Sequence, residues 1–231
     1  MWAIIQKEFK TFFSSFIGLG VMVAFYVLLS LYVWYLSGNI LDFGFAELTV
    51  FFDLNPWFFL FFIPALAMRS FAEEFELKTF DLLRSLPISM ESITLGKLFG
   101  LFLVVVIVLI PTLVFVYSIG QLGSPAHNYD ASLVLGGYIS ILLLCLSFIS
   151  LSCLASALVE KQALAFVLGV FFNFVCWQVP QEIPYLASFS LYEHYQVISK
   201  GVLELGSIVF FIGFNLIVFA LIQLRLRLKF R

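Results

Sequence analysis

Six stretches of this 231-residue chain contain no Asp, Glu, Lys or Arg: 11–41, 54–68, 98–129, 131–159, 162–181 and 205–224. A helix needs about 20 mostly apolar residues to cross the hydrocarbon core of a bilayer, and five of the six stretches are long enough. The second is short, but Asp53 is the sole charge between Leu48 and Met68, and Arg69 can snorkel at its far end. The stretches are continuous rather than alternating and exceed strand length, which excludes a β-barrel. The expectation is an all-α polytopic membrane protein, one transmembrane domain over 1–231, with helices near 16–37, 53–70, 98–119, 133–158, 162–181 and 205–224.

Composition agrees. Hydrophobic residues make up 63% and charged residues 11%, less than half of the roughly 25% charge usual in soluble domains. So few charges cannot cover a soluble surface, and no basic surface exists for nucleic acid. The first stretch follows Lys7 and Lys10 like a signal peptide, but it is too long and lacks a small-residue cleavage site before Asp42, so it reads as a retained signal anchor. Cys145, Cys153 and Cys176 all lie in apolar stretches without metal-ligand spacing. They read as packing residues.

Six spans place both termini on one side. The terminal segments and even-numbered loops carry eleven of the twelve Lys and Arg residues, Lys200 being the exception, while acidic residues divide seven and seven. Orientation follows Lys and Arg, so the termini are expected in the cytoplasm. External loops fall at 38–52, 120–132 and 182–204, and the substantial cytoplasmic connector is 69–97.

Three segments outside the spans carry pattern. Met1 to Phe16 reads as an amphipathic interfacial helix with Trp2, Ile5, Phe9, Phe12 and Phe16 on one stripe and Gln6, Lys7 and Lys10 off it; the plainer alternative is a topogenic flank. The connector packs Arg69, Glu73, Glu74, Glu76, Lys78, Asp81 and Arg84 into sixteen residues. Arg69 to Glu73 and Glu74 to Lys78 are four apart and Asp81 to Arg84 three apart, the spacing of helical ion pairs. Phe71, Phe75, Leu82 and Leu83 supply an apolar face; Pro87 ends the helix and Ser89 caps a second short one running toward Gly96-Lys97. Such a helix suits docking of a soluble partner, against the plainer reading of a solvated hairpin. Pro184 to Glu204 is amphipathic, with Tyr185, Phe189, Tyr192, Tyr195, Ile198 and Val202 on one face. It reads as an interfacial or re-entrant helix at the outer leaflet, or as the cap of a translocation path.

Catalytic chemistry finds no footing. Paired Glu73-Glu74 suggests an intramembrane metalloprotease, but the only histidines, His127 and His194, are expected across ~30 Å of hydrocarbon. Gly96-Lys97 precedes Leu98, and Glu91 replaces the first glycine of a phosphate-binding loop, so no nucleotide site exists. The spans hold no ionisable group for an ion-coupled carrier. Their polar residues, Thr112, Ser140, Ser147, Ser150, Ser152, Ser156, Asn173 and Asn215, read as interhelical glue, and Pro64 and Pro111 as kinks.

Together, Ile4-Ile5-Gln6-Lys7-Glu8-Phe9, Ala67-Met68-Arg69-Ser70-Phe71-Ala72-Glu73-Glu74, Thr79-Phe80-Asp81-Leu82-Leu83-Arg84-Ser85-Leu86-Pro87-Ile88 and Leu95-Gly96-Lys97 resemble the membrane subunits of ABC-2-type ABC transporters. Within that family the chain looks most like gliding-motility permeases of the GldF type, through Asn55-Pro56-Trp57, Glu193-His194-Tyr195 and Ser199-Lys200-Gly201-Val202. It departs in Lys78, where such permeases commonly have Gly before the Thr, and in Glu204-Leu205-Gly206-Ser207 after the Gly-Val pair. The resemblance implies a bacterial inner-membrane permease without catalytic activity, paired with a second copy or homologue, surrounded by lipid and seated on two ABC ATPase subunits. Those subunits would hold the ATP and Mg; no cofactor is expected on this chain. It also implies that the connector is the coupling helix, with Arg69, Glu73, Glu74, Lys78, Thr79, Asp81 and Arg84 contacting or bracing the ATPase. A membrane scaffold using the same helix, or a stand-alone carrier, is the competing reading.

Overall fold

A computed structural model of the chain describes residues 1–36, 48–85, 87–123 and 129–230. Asp42, Leu86, His127 and Arg231, with most of the first external loop and part of the second, lie outside the described residues. Among the described residues there are eleven α-helices: α1 (Trp2–Ser14), α2 (Phe16–Trp34), α3 (Thr49–Ala67), α4 (Ala72–Glu76), α5 (Phe80–Ser85), α6 (Met90–Leu109), α7 (Leu113–Leu122), α8 (Ala131–Leu158), α9 (Gln162–Glu182), α10 (Leu191–Ser199) and α11 (Leu205–Lys229). Among the described residues there is no strand.

Five helical segments are long and apolar enough to cross a membrane: Thr49–Glu76, Met90–Leu122, Ala131–Leu158, Gln162–Glu182 and Leu205–Lys229. The pair α1 and α2, bent by 69°, passes the same test when the two are taken together, which makes six if the pair is one broken span. Pro111 lies in a 3₁₀ turn (Ile110–Thr112) between α6 and α7, because a proline ring cannot sit inside a regular α-helix without losing a backbone hydrogen bond.

Helix α8 is the hub, packed against α3, α6, α9, α10 and α11. A helix that is hydrophobic all round belongs in the middle of a bundle, and here its serines tie the neighbours on. Asn215 of α11 donates to Ser147 Oγ (3.0 Å) and accepts from Ser150 Oγ (2.6 Å), and Asn173 of α9 donates to Ser152 Oγ (3.1 Å). Thr112 shares a 3.0 Å hydrogen bond with Tyr138. The polar residues of the spans therefore join helix to helix, as their sequence positions suggest.

Three expectations need correction. The connector is not one helix: α4 and α5 are separated by a turn at Lys78, whose φ of 55° breaks the helical path. Ser89 does cap a helix, accepting from the backbone N–H of Ser92, but that helix is the full-length α6 rather than a short one. And α10 does not lay its aromatic face on the outer leaflet. Leu191, Tyr195 and Ile198 are fully buried against the bundle, whereas Tyr185, Phe189 and Val202 are exposed. The Tyr195 hydroxyl donates to the carbonyl of Phe52 at 2.6 Å, which satisfies its polar tip inside the bundle and draws the helix down.

Candidate functional site

Sequence places the densest charge between Arg69 and Arg84, and the structure sorts that charge into a buried half and an exposed half. The buried half begins with α1. Its most buried residues are Ile4 and Phe12, with Glu8 half-buried between them; of the expected stripe Phe12 is buried, Ile5 and Phe9 are half-buried, and Trp2 and Phe16 are exposed. The reason is α6, which offers Gly96 and Gly100 one turn apart. A Cβ at Gly96 would come within 3.0 Å of Ile4, and one at Gly100 within 2.8 Å of Glu8. Small residues four apart let two helices approach closely, and α1 is seated on this pair.

Lys97 lies between those glycines with 1% of its side chain exposed. Its ammonium bonds Glu74 Oε1 (2.8 Å), Glu8 Oε1 (3.0 Å) and the carbonyl of Ser70 (2.5 Å). A lysine has three hydrogens to donate, and all three are used. Glu74 Oε1 also accepts from Lys7 of α1 at 2.5 Å. Two lysines and two glutamates thus neutralise one another at the junction of α1, α4 and α6. Lys97 is the eighth residue of the 33-residue Met90–Leu122 segment and directly precedes the charge-free stretch that begins at Leu98. The cluster overturns the expected Glu74–Lys78 and Arg69–Glu73 pairs. Glu74 points inward to the two lysines, and Arg69 donates to Ser15 Oγ (2.9 Å) at the α1–α2 bend.

Ser156 of α8 fixes the start of α4. Its hydroxyl oxygen accepts from the backbone N–H groups of Phe71 (3.1 Å) and Ala72 (3.0 Å) and donates to the carbonyl of Met68 (3.2 Å). Those groups are orphaned by the break between α3 and α4, and one buried hydroxyl serves all three.

From the other side the end of α11 clamps the connector. The Phe230 ring stacks on Phe80 (4.9 Å between centroids) and lies under the Arg84 guanidinium (4.7 Å). Lys229 reaches over the Phe75 ring (3.8 Å) and pairs with Glu160 (2.9 Å). That hydrogen bond, with the lysine charge, holds the Glu160 carboxyl below its ordinary range. Arg227 pairs with Glu91 across 3.3 Å. The C-terminal basic residues, legible in sequence only as a topology signal, here hold the connector to the bundle.

What remains outward is compact. Glu76, Lys78, Asp81 and Arg84 are exposed, Glu73 and Thr79 half-buried, and Asp81 pairs with Arg84 at 3.8 Å. Among them stand Leu77 and Leu82, 63% and 69% exposed. Two exposed leucines ringed by charges of both signs form an apolar centre with a polar rim, the layout of a protein-docking surface. Every basic group in these contacts lies at the same end of the bundle as both termini. The histidine described, His194, is at the other end, bonded to Ser207 Oγ (2.9 Å). Among the described residues no group of His, Cys, Asp or Glu could hold a metal ion.

Comparison with known proteins gives a match over residues 42–192, well over half of the chain, to a family described as "ABC-2 family transporter protein". The matched region takes in α3 to the start of α10 and so the whole connector. No relative among curated proteins matches the chain.

Proposed function

This chain belongs to the ABC-2 transporter family, and from that premise we propose that it is the permease subunit of an ATP-driven transporter, moved through its connector by a separate ATPase. The observation that carries the proposal is the exposed α4–α5 turn. Leu77 and Leu82 stand in the open, framed by Glu76, Lys78, Asp81 and Arg84, on a segment locked to α1, α6, α8 and α11. A docking surface that moved loosely would transmit nothing; this one is fastened on every inner side. Closure of the ATPases would push α4–α5 as a unit and tilt the helices attached to it, a rigid-body transition. Glu76, Lys78, Asp81 and Arg84 set the register of docking, with Glu73 and Thr79 beside them, while Arg69 and Glu74 brace the segment from within. The chain itself performs no catalysis; ATP and Mg belong to the ATPase. A second permease copy or homologue, and lipid, would cover the exposed apolar faces of α2, α9 and α11. The gliding-motility subtype rests on the Asn55-Pro56-Trp57 and Glu193-His194-Tyr195 resemblance, and the bacterial inner membrane is the compartment that goes with it.

Co-purification tests the proposal. From native membranes the wild-type chain is expected to carry an ABC ATPase, and Leu82→Asp with Asp81→Lys to lose it while the permease stays folded and inserted. Absence of any ATPase from the wild-type preparation overturns the reading. Retention of cellular function with an ATPase-dead partner would replace it by the scaffold reading.

A further inference from the structure

The end of the bundle remote from the connector holds a second cluster of chemistry that docking does not use. A pocket of about 360 Å³ opens between the start of α3, the end of α9 and α10. Trp57 and Tyr192 supply its aromatic walls, with the buried Trp177 behind them. Trp177 is held in place edge-on to Tyr192 and Tyr195, with ring centroids 5.2 and 5.6 Å away. Among the described residues Asp53 is the one charged side chain in the lining.

Three amides complete the lining. Gln196 Nε2 donates to Asp53 Oδ1 (3.3 Å), Gln181 Nε2 to the Trp177 carbonyl (2.7 Å), and Gln178 Nε2 to Glu182 Oε1 (3.3 Å). Each amide keeps a second N–H and its oxygen, so the amides can both donate and accept. Selectivity therefore rests on the Asp53 carboxylate, which calls for positive charge. The surroundings have the same sign. Asp53, Asp130, Glu182, Glu193 and Glu204 lie at this end among the described residues, against Lys200. Such a field repels anions and concentrates cations.

We propose that this pocket binds a protonated organic amine, its ammonium on Asp53 and its apolar body against Trp57 and Tyr192. Aromatic faces attract ammonium groups through the ring quadrupole, and a charge-assisted hydrogen bond to Asp53 fixes the head. The inference rests on pocket geometry and is independent of the transport reading, since binding needs no ATPase.

The test titrates the purified, detergent-solubilised protein with phenethylammonium, with its uncharged isostere 2-phenylethanol and with glucose. Tryptophan fluorescence and thermal unfolding are followed, with empty micelles as the control. Phenethylammonium is expected to give a saturable change that weakens with added salt, and 2-phenylethanol a much weaker one. Asp53→Asn is expected to lower the amine affinity by roughly tenfold or more, the weight of one charge-assisted hydrogen bond, without moving the alcohol. Trp57→Leu should weaken both. Asp53 and Trp57 are exposed, so both variants fold, and their unfolding midpoints without ligand verify it. Equal affinity for amine and alcohol, an unaltered amine affinity in Asp53→Asn, or no saturable amine binding overturns the proposal. Saturation by glucose alone overturns it in favour of a carbohydrate pocket.

Discussion

Lys97 meets three acceptors with three hydrogens in a place water does not reach, so its removal tests the cluster. Lys97→Met leaves Glu8, 10% exposed, without its cation and Glu74, 7% exposed, with only the half-exposed Lys7. Breaking a buried pair in this way costs about 3–5 kcal/mol, and the unfolding midpoint of the purified protein should fall accordingly. Lys7→Met is the control. Lys7 touches the same carboxylate but is half exposed, and solvent screening limits its loss to about 1 kcal/mol or less. A Lys97→Met variant no less stable than Lys7→Met would show that the cluster holds nothing together. Sequence spacing could not find this cluster. It joins residues 67 and 89 positions apart, while the local four-residue spacing pointed Glu74 at Lys78. Lys78 instead takes a φ of 55°, the left-handed region that glycine favours. The departure noted there, lysine where such permeases commonly carry glycine, marks the turn that separates the two residues.

Between elements, the α3–α4 break depends on one hydroxyl from a third helix. Ser156→Ala leaves the backbone N–H groups of Phe71 and Ala72 buried without an acceptor, at about 1–3 kcal/mol for each stranded group. The expected readout is local. Hydrogen exchange at residues 70–76 should accelerate strongly, while exchange in the middle of α8 stays slow. Uniform acceleration across the bundle would mean that Ser156 supports the fold at large and not the connector. The existence of the spans was readable because continuous apolar length is a strong one-dimensional signal, and the serine series of α8 was readable as glue because polar groups in lipid must find partners. Which helix each serine binds was not readable. Nor was the inward face of α1, where Ile4 and Glu8 join Phe12 through the glycine seat on α6 while Trp2 and Phe16 stay exposed.

Across the whole molecule, charge is segregated by end. The described contacts gather α1, the connector, the α8–α9 junction and the tail of α11 at one pole. Among the described residues Lys200 and five acidic residues lie at the other. Lys and Arg are retained on the cytoplasmic side during insertion, so this polarity predicts an orientation with the connector inside, where the proposed ATPase works, and the aromatic pocket outside. Lys78 and Lys200 are both exposed, one at each pole, which makes them matched reporters. In a background with Cys145, Cys153 and Cys176 replaced, Lys200→Cys is expected to react with a membrane-impermeant maleimide in intact cells, and Lys78→Cys only after the membrane is opened. Neither position contributes to the buried cluster or to the α8 hydrogen bonds, so each cysteine reports access rather than damage. Labelling of Lys78→Cys in intact cells would invert the molecule. The Leu77–Leu82 surface would then face away from any cytoplasmic ATPase, and the docking role assigned to it would fall with the orientation.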